Sequence, residues 1–380
     1  ANDVRVPVGN GDWIIDSRGD NDNAAYKDTM EGAVMGSVTA FANFPENGSD
    51  FTFTAGVLNG NSAAYADYTA GAGAANPNYT NACTADCLFC AFYRKPGDSE
   101  VYVKTLDEIR QFFVDARGHN ATTVLLQGGL HPELKLDYYT DIVKMSKEEF
   151  PEIVPHFFSA PEIQMIGEAN DMSIREVLQA LYDAGQRSLP GGGAEVLSQK
   201  VRNRISPKKQ TVQAWLDIHE TAHDIGMRST ATMMYGHREE PEDILIHLES
   251  IREMQDRTGK FTAFVPWSYK KDNTLLGKKV TRETTAEDYY RLLAFSRIYL
   301  DNFDHIQASW FSEGKDAGIK SLAYGADDFG GTLFEENVHA ETGHINKTSV
   351  QGVKDMISEG GFTPVQRDTF YNRLYETATA

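Results

Sequence analysis

The chain has 380 residues, with 36 Lys plus Arg against 55 Asp plus Glu and a formal charge of −19. That length suits one α/β barrel with extensions or two average domains, and the acidic balance argues against a nucleic-acid surface, which needs clustered Lys and Arg. No stretch reaches the roughly 18 consecutive apolar residues of a membrane helix, and no basic start followed by an apolar core marks a secretory signal, so a cytoplasmic protein without membrane insertion is expected.

Residues 1–75 are rich in Gly, Ala, Asn and Asp and sustain no helical periodicity. Trp13–Ile15 and the alternating Phe51–Thr54 read as strands, interrupted by turn pairs such as Asn10-Gly11, Asn47-Gly48 and Asn59-Gly60. This part is set apart as an irregular N-terminal segment. Further on the pattern becomes regular. Thr105 and Glu108 form a capping-box signature ahead of Ile109, Phe112 and Phe113, with Gly118 as a stop. A strand over Thr122–Gln127 follows. Ser173 and Glu176 open another helix, carrying Val177, Leu178, Leu181 and Tyr182 and ending at Gly185.

Further strands are expected at Val154–Ser159, Arg187–Pro190, Arg228–Met234, Phe261–Trp267 and His305–Trp310. Helical stretches at 137–149, 211–225, 241–257 and 285–302 lie between them. Strands alternating with amphipathic helices mean βαβ units and a parallel sheet. One more strand ahead of the cysteines and one near Leu322–Phe329 would complete a (β/α)8 TIM-type barrel over residues 76–345, with residues 346–380 as a C-terminal extension packing on it. An open doubly wound sheet fits the same alternation.

The three cysteines of the chain, Cys83, Cys87 and Cys90, fall within one polar loop. An odd, tightly spaced set is a poor disulfide framework and a good metal-ligand set. Three thiolates ligate three irons of a [4Fe-4S] cubane and leave the fourth iron open. A structural zinc site is the plain alternative; it asks for a fourth ligand, and no second cysteine pair exists, although a histidine would serve.

The run Cys83 to Arg94 (CTADCLFCAFYR) resembles the radical S-adenosylmethionine enzymes of the futalosine route to menaquinone and the related deazaflavin synthases. The likeness continues through Gln127–Leu134, Ser159–Glu162, Leu189–Glu195, Arg204–Pro207, Thr232–His237 and Gln307–Trp310. Within that group, Phe261–Trp267, Asp327–Thr332, Glu335–Asn337 and Gln366–Thr369 resemble the dehypoxanthine futalosine cyclases most. The resemblance implies a [4Fe-4S] cluster and S-adenosylmethionine as cofactors. It implies dehypoxanthine futalosine, an aromatic acid joined to a ribose, as substrate, and a one-electron reductant such as flavodoxin or ferredoxin as partner. Abstraction of the ribose 4′ hydrogen by a 5′-deoxyadenosyl radical, addition to the aromatic ring and loss of an electron and a proton would then close a spiro ring. Aminofutalosine synthase and deazaflavin synthase subunits share the scaffold and remain open, as does a cluster- or zinc-binding protein without turnover.

The same resemblance places Phe89 beside the adenine and Gln127, Gly128 and Gly129 at the methionine amino group, with an ordinary βα turn as the alternative for the glycines. Ser159 and Glu195 are candidates for the carboxylate and ribose contacts, and Glu162 for either ligand. His131, Glu162, Tyr235, His237, Trp267 and Trp310, at or just after strand ends, are candidates for the substrate; packing or loop roles compete for each. Asp328 and Glu195 are the candidates for an acid–base role. Two patterns read as structural. His219–His223 spells H-E-x-x-H, but on an outer helix with an apolar stripe at Trp215, Ile218, Ala222 and Ile225. The acidic pairs Glu239-Glu240 and Asp327-Asp328 read as solvated faces. Finally, the run Ala70–Pro77 ahead of the cysteines holds no apolar strand, whereas Trp13–Asp16, far upstream, has the look of one.

Overall fold

A computed structural model describes residues 77–331, 337–343, 346 and 348–374, together with the backbones of three short strands nearer the N-terminus. Of those, β1 (Thr39–Ala42) and β2 (Phe51–Thr54) form an antiparallel pair, as the alternation in Phe51–Thr54 predicts. Trp13–Asp16 lies outside the described residues.

β3 (Asp67–Gly71) is the strand that was not legible ahead of the cysteines. It supplies the strand expected ahead of the cysteines and shares only Ala70 and Gly71 with the run Ala70–Pro77: β3 pairs in parallel with β9 (Asp328–Gly331) on one side and β10 (Thr363–Arg367) on the other. Its backbone is held by two neighbours, so it needs no apolar run of its own to be a strand. β11 (Arg373–Leu374) adds antiparallel to β10. The larger sheet is parallel throughout and runs β4 (Thr123–Leu126), β5 (Val154–Phe157), β6 (Ser188–Leu189), β7 (Arg228–Tyr235), β8 (Phe261–Ser268). Parallel bridges Phe264–Ile306 and Gln307–Asp328 carry β8 across to β9. At the opposite edge the Thr122 hydroxyl donates to the Arg367 carbonyl at 3.3 Å, and the Thr123 and Thr369 hydroxyls stand 2.5 Å apart. The sheet therefore curls until its edges meet, in barrel fashion, with the C-terminal strand β10 built into it.

The helices cover the outside. α1 (Leu106–Gly118), α4 (Ile174–Ala184) and α8 (Ala286–Tyr299) begin with complete capping boxes at Thr105, Ser173 and Thr285, each a local stop worth about 1 kcal/mol. α2 (Leu136–Glu149), α6 (Val212–Ile225) and α7 (Pro241–Thr258) match the predicted spans within a residue or so. α3 (Ala160–Asn170), α5 (Gln199–Ile205), α9 (Trp310–Glu313) and α10 (Lys315–Ser321) were not anticipated. The strand expected over His305–Trp310 reduces to the Ile306 and Gln307 bridges before α9 begins. The strand expected over Leu322–Phe329 starts instead at Asp328, after a 3-10 turn at Leu322–Tyr324.

The two faces of the strands differ. Val124, Leu126, Ala231 and Met233 point outward and are fully buried beneath the helices. Thr123, Leu125, Thr230, Thr232, Val265 and Trp267 alternate with buried neighbours and are half-buried on the inner face. Parallel strands ordinarily bury both faces in apolar packing; here the inner face lines an open lumen with hydroxyls. His156 and Ser188 join it, His156 Nδ1 lying 2.7 Å from the Ser188 hydroxyl.

Candidate active site

The cysteine loop is tied over the C-terminal ends of the strands by backbone hydrogen bonds. Arg94 N–H donates to Asn81 and Cys83 N–H to Arg94, at 2.8 and 2.9 Å. Gly129 N–H donates to Thr80 and Thr84 N–H to Leu130, at 2.9 and 3.2 Å, which fixes the loop to the end of β4. Its middle is gripped by Leu88 N–H donating to Ile205 and Leu276 N–H to Leu88. Gly129 is what admits this approach: a Cβ there would lie 2.1 Å from the Ala82 carbonyl oxygen, closer than any side chain allows. The paired glycines thus serve the contact between loop and strand as well as any ligand.

Under the loop lies a cavity of about 160 Å³ that gathers the three cysteines, Phe89, the Gln127–Gly129 turn, Ser159, Glu162 and Lys209. Burial pushes the Cys87 and Cys90 thiols up, opposed for Cys87 by the Lys209 charge. Three sulfurs of one loop, with the fourth ligand left to a small molecule, are the donor set of a cubane cluster. Among the described residues no three His, Cys, Asp or Glu side chains converge on a single ion; in a cubane each thiolate takes a separate iron, so convergence is not required.

Glu162 does not end a strand. It is the N3 residue of α3, and Ser159 is the N-cap. The carboxylate accepts from Tyr79 O–H and Gly128 N–H at 2.9 Å each, and from Ser159 N–H and O–H at 2.7 and 2.5 Å. Burial raises its pKa to about 7, with those same bonds pulling the other way. The Ser-x-x-Glu spacing with a proline at the start of the helix was the signal for this capping box.

Glu195 follows β6 in a left-handed backbone conformation, φ 44°, and binds Lys209 Nζ at 2.7 Å and Arg202 Nη1 at 3.5 Å. Burial would raise its carboxyl, but Lys209 and Arg202 outweigh that and hold it below the usual range.

Of the candidates for the substrate, Trp267 alone pairs in register with a lumen strand position, Met234, on the inner face. Tyr235 pairs with Ser268 in the register that points away from the lumen, buried where Glu313 and Tyr289 of the outer layer influence it. Trp310 is fully buried, donates its indole N–H to the Gly331 carbonyl at 3.2 Å and stacks on Phe329. His237 ties its own loop, with Nε2 2.8 Å from the Met234 carbonyl and Nδ1 accepting from Arg238 N–H at 2.7 Å. His131, half-buried, accepts from Glu133 N–H.

Of the acidic pairs, Glu240 is exposed as expected, and the other three carboxylates are engaged. Asp328 is fully buried and bound by Arg367 and Tyr371, while Asp327 holds Arg297 and His305. Glu239 accepts the backbone N–H groups of its turn. The H-E-x-x-H pair is structural, as expected: His219 and His223 both bind the Ser229 hydroxyl beneath α6, at 3.0 and 2.7 Å, and Glu220 pairs outward with Arg257. Lys209 and Arg202 escaped sequence reading, since lysines and arginines in a polar stretch read as surface. Among the described residues no helix is long and apolar enough to cross a membrane.

Residues 78–251 match the Radical SAM superfamily and residues 258–379 the CofH/MqnC C-terminal region. The cyclic dehypoxanthine futalosine synthase of Halalkalibacterium halodurans is 42% identical over 307 residues, 80% of this chain and 82% of that protein. The 5-amino-6-(D-ribitylamino)uracil–L-tyrosine 4-hydroxyphenyl transferase of Methanococcoides burtonii is 39% identical over 306 residues, 79% of this chain and 85% of that protein. Among solved structures, methylornithine synthase aligns with a TM-score of 0.60 at 15% identity, covering 79% of this chain and 84% of that one, a likeness of fold.

Proposed function

Because the chain belongs to the radical SAM superfamily, in the group that carries the CofH/MqnC C-terminal region, we propose that it converts dehypoxanthine futalosine to cyclic dehypoxanthine futalosine in menaquinone biosynthesis. It is an enzyme acting on a small molecule, with a [4Fe-4S] cluster and S-adenosylmethionine as cofactors. The observation that carries the reading is the 42% identity to a cyclic dehypoxanthine futalosine synthase across both the barrel and the C-terminal region.

Cys83, Cys87 and Cys90 hold the cluster in this proposal, with Phe89 and the Gln127–Gly129 turn beside the S-adenosylmethionine. Bound there and given one electron by a flavodoxin- or ferredoxin-type donor, the pair would supply the radical chemistry needed to remove the ribose 4′ hydrogen. The chain's own part is positional. Thr230 and Thr232, whose hydroxyls accept from Gly191 N–H at 3.0 Å and donate to the Gly191 carbonyl at 2.6 Å respectively, and the ring of Trp267 line the lumen at and below the strand ends, where a flat ring suits the aromatic acid. Holding the ribose carbon near the ring carbon it must join favours closure over quenching. Asp328, already bound by Arg367 and Tyr371, fits a wall residue better than a free base.

The test is an anaerobic assay of the reconstituted protein with S-adenosylmethionine, a reductant and dehypoxanthine futalosine, read by mass spectrometry. Cyclised product is expected. 5′-Deoxyadenosine without it would overturn the cyclase reading, and turnover of 5-amino-6-(D-ribitylamino)uracil with tyrosine instead would move the chain to the transferases.

A further inference from the structure

Leu88 lies between Cys87 and Cys90, and its backbone joins three segments over the cysteine loop. Its N–H donates to the Ile205 carbonyl at 2.9 Å, and its carbonyl accepts from Leu276 N–H at 2.7 Å. Residues 88–95, 203–209 and 275–279 therefore meet, and none of the three contains an Asp or Glu, in a chain whose acids outnumber its bases 55 to 36. The first carries Arg94 and Lys95, the second Arg204, Lys208 and Lys209, the third Lys278 and Lys279. A further cation joins them, since the Lys279 carbonyl accepts from Arg238 Nη1 at 3.4 Å. Carboxylates reach some of these groups: Glu100 pairs with Arg94, Asp86 with Lys208 and Lys95, and Glu195 with Lys209. Arg204, Arg238, Lys278 and Lys279 are exposed and make no ion pair among the described residues. Exposed acids stand at one border, Asp272 and Glu341, the latter tied to Asn273 through its carbonyl. The thiolates beneath are largely neutralised by the irons they bind.

Among these cations stands an apolar group. Leu275 is 52% exposed, the most exposed large hydrophobic side chain of the described residues, and it adjoins Leu276, which is bonded to Leu88. An exposed apolar group with a rim of unpaired charge is the anatomy of a transient interface. A basic face on an otherwise acidic molecule selects an acidic partner. Leu88, Leu275 and the two lysines that follow do not line the cavity under the loop, so this face stays open when the cavity is filled. Electron transfer falls steeply with distance, and the layer covering the cysteines from outside is Leu88 with the segments fastened to it.

We propose that this face docks an acidic one-electron carrier protein, with Arg204, Arg238, Lys278 and Lys279 as its charged rim and Leu275 as its apolar contact. The carrier loses one electron and the cluster gains it; no bond forms or breaks and no proton moves. The interface is of the small, electrostatically steered kind that redox partners use. The inference rests on the cluster assignment and not on the cyclase reading.

The test uses the cluster-reconstituted protein and a purified flavodoxin of net negative charge. It measures equilibrium binding of the oxidised flavodoxin, and the rate at which the reduced form passes its electron to the cluster, with dithionite as a small reductant for comparison. Lys278→Glu combined with Lys279→Glu is expected to slow reduction by flavodoxin about 10- to 100-fold at low salt and to weaken binding in step. Reduction by dithionite, which needs no docking face, is expected to stay within about 2-fold. The deficit should shrink as ionic strength rises from about 0.05 to 0.5 M, because salt screens exposed charges. Leu275→Ser is expected to weaken binding about 3- to 10-fold at every salt concentration, as loss of an apolar contact does. Lys144→Glu combined with Arg175→Glu, the same charge change on the outer helices α2 and α4, should leave both quantities within about 2-fold. A lysine or leucine variant that matches wild type overturns the proposal, as does equal loss in the outer-helix control or with dithionite. Self-association of the wild type that the lysine variant abolishes, without flavodoxin binding, overturns it in favour of a second copy of this acidic chain. A wild-type protein that takes up no iron refutes the cluster assignment, and the proposal falls with it.

Discussion

Between β4 and β8 the strands are joined by a continuous parallel ladder, and the cysteine loop is fastened to their ends by backbone hydrogen bonds. Between β8 and β9 the described backbone connects through the Ile306 and Gln307 bridges, and side chains do the rest. Ser309 O–H donates to the Pro266 carbonyl at 2.6 Å, Ser309 N–H donates to the Tyr289 hydroxyl at 2.7 Å, and Trp310 lies flat against Phe329. Backbone contacts depend little on which residues supply them, except where a side chain would intrude. A side-chain seam depends on each residue in it. The half that carries the cysteines is therefore sensitive at its glycines, and the other half at its large buried groups.

The sharpest way to break this contrast is Gly129→Ala. Its Cβ meets the Ala82 carbonyl oxygen, so the loop must lift, and loss of most of the cluster is expected in iron analysis and the visible spectrum after anaerobic reconstitution. Full iron content would show that the backbone staple is not what shapes the loop. Trp310→Ala is the counterpart in the other half. A cost of about 3–5 kcal/mol is expected in denaturant unfolding, as for other buried tryptophans, with iron per folded molecule unchanged. Loss of the cluster as well would mean that the halves are coupled. Glu162 is the exception that sharpens the comparison, a side chain embedded among the backbone contacts. Unfolded, it releases its proton near pH 4.5; folded, near about 7. Between those values the folded form binds more protons, so stability falls as pH rises through the window and is level above it. The decline is up to about 3 kcal/mol, and Glu162→Gln should lack it when the two are compared across pH. Parallel curves would refute the buried-carboxyl account.

Much of the barrel was legible because its helices announce themselves locally. Thr105 and Ser173 each sit three residues before an acid that closes a capping box, and the structure keeps both; Thr285 and Asp288 form a third by the same rule. The same rule applied to Ser159 and Glu162 finds α3, but proximity to a strand end made them read as ligands. The cysteines were legible because three thiols so close have few other uses. Lys209 was not, since its meaning depends on Glu195 and Arg202 folding against it. Trp310 and Tyr235 were misplaced because an aromatic near a strand end faces either the lumen or the outer helices, and only register decides. β3 was hidden for the opposite reason: Asp67–Gly71 owes its strand to β9 and β10, which lie far along the chain.

The grip on Leu88 has a bearing on how the protein comes to be. One of its hydrogen bonds comes from Ile205 and the other from Leu276, residues made long after the cysteines leave the ribosome. Until those segments arrive, the middle of the cysteine loop lacks this grip, and the bonds of Cys83, Thr84 and Arg94 are what tie it. Iron and sulfide therefore have their proper receptacle in a nearly finished polypeptide, which makes cluster loading a late step of maturation.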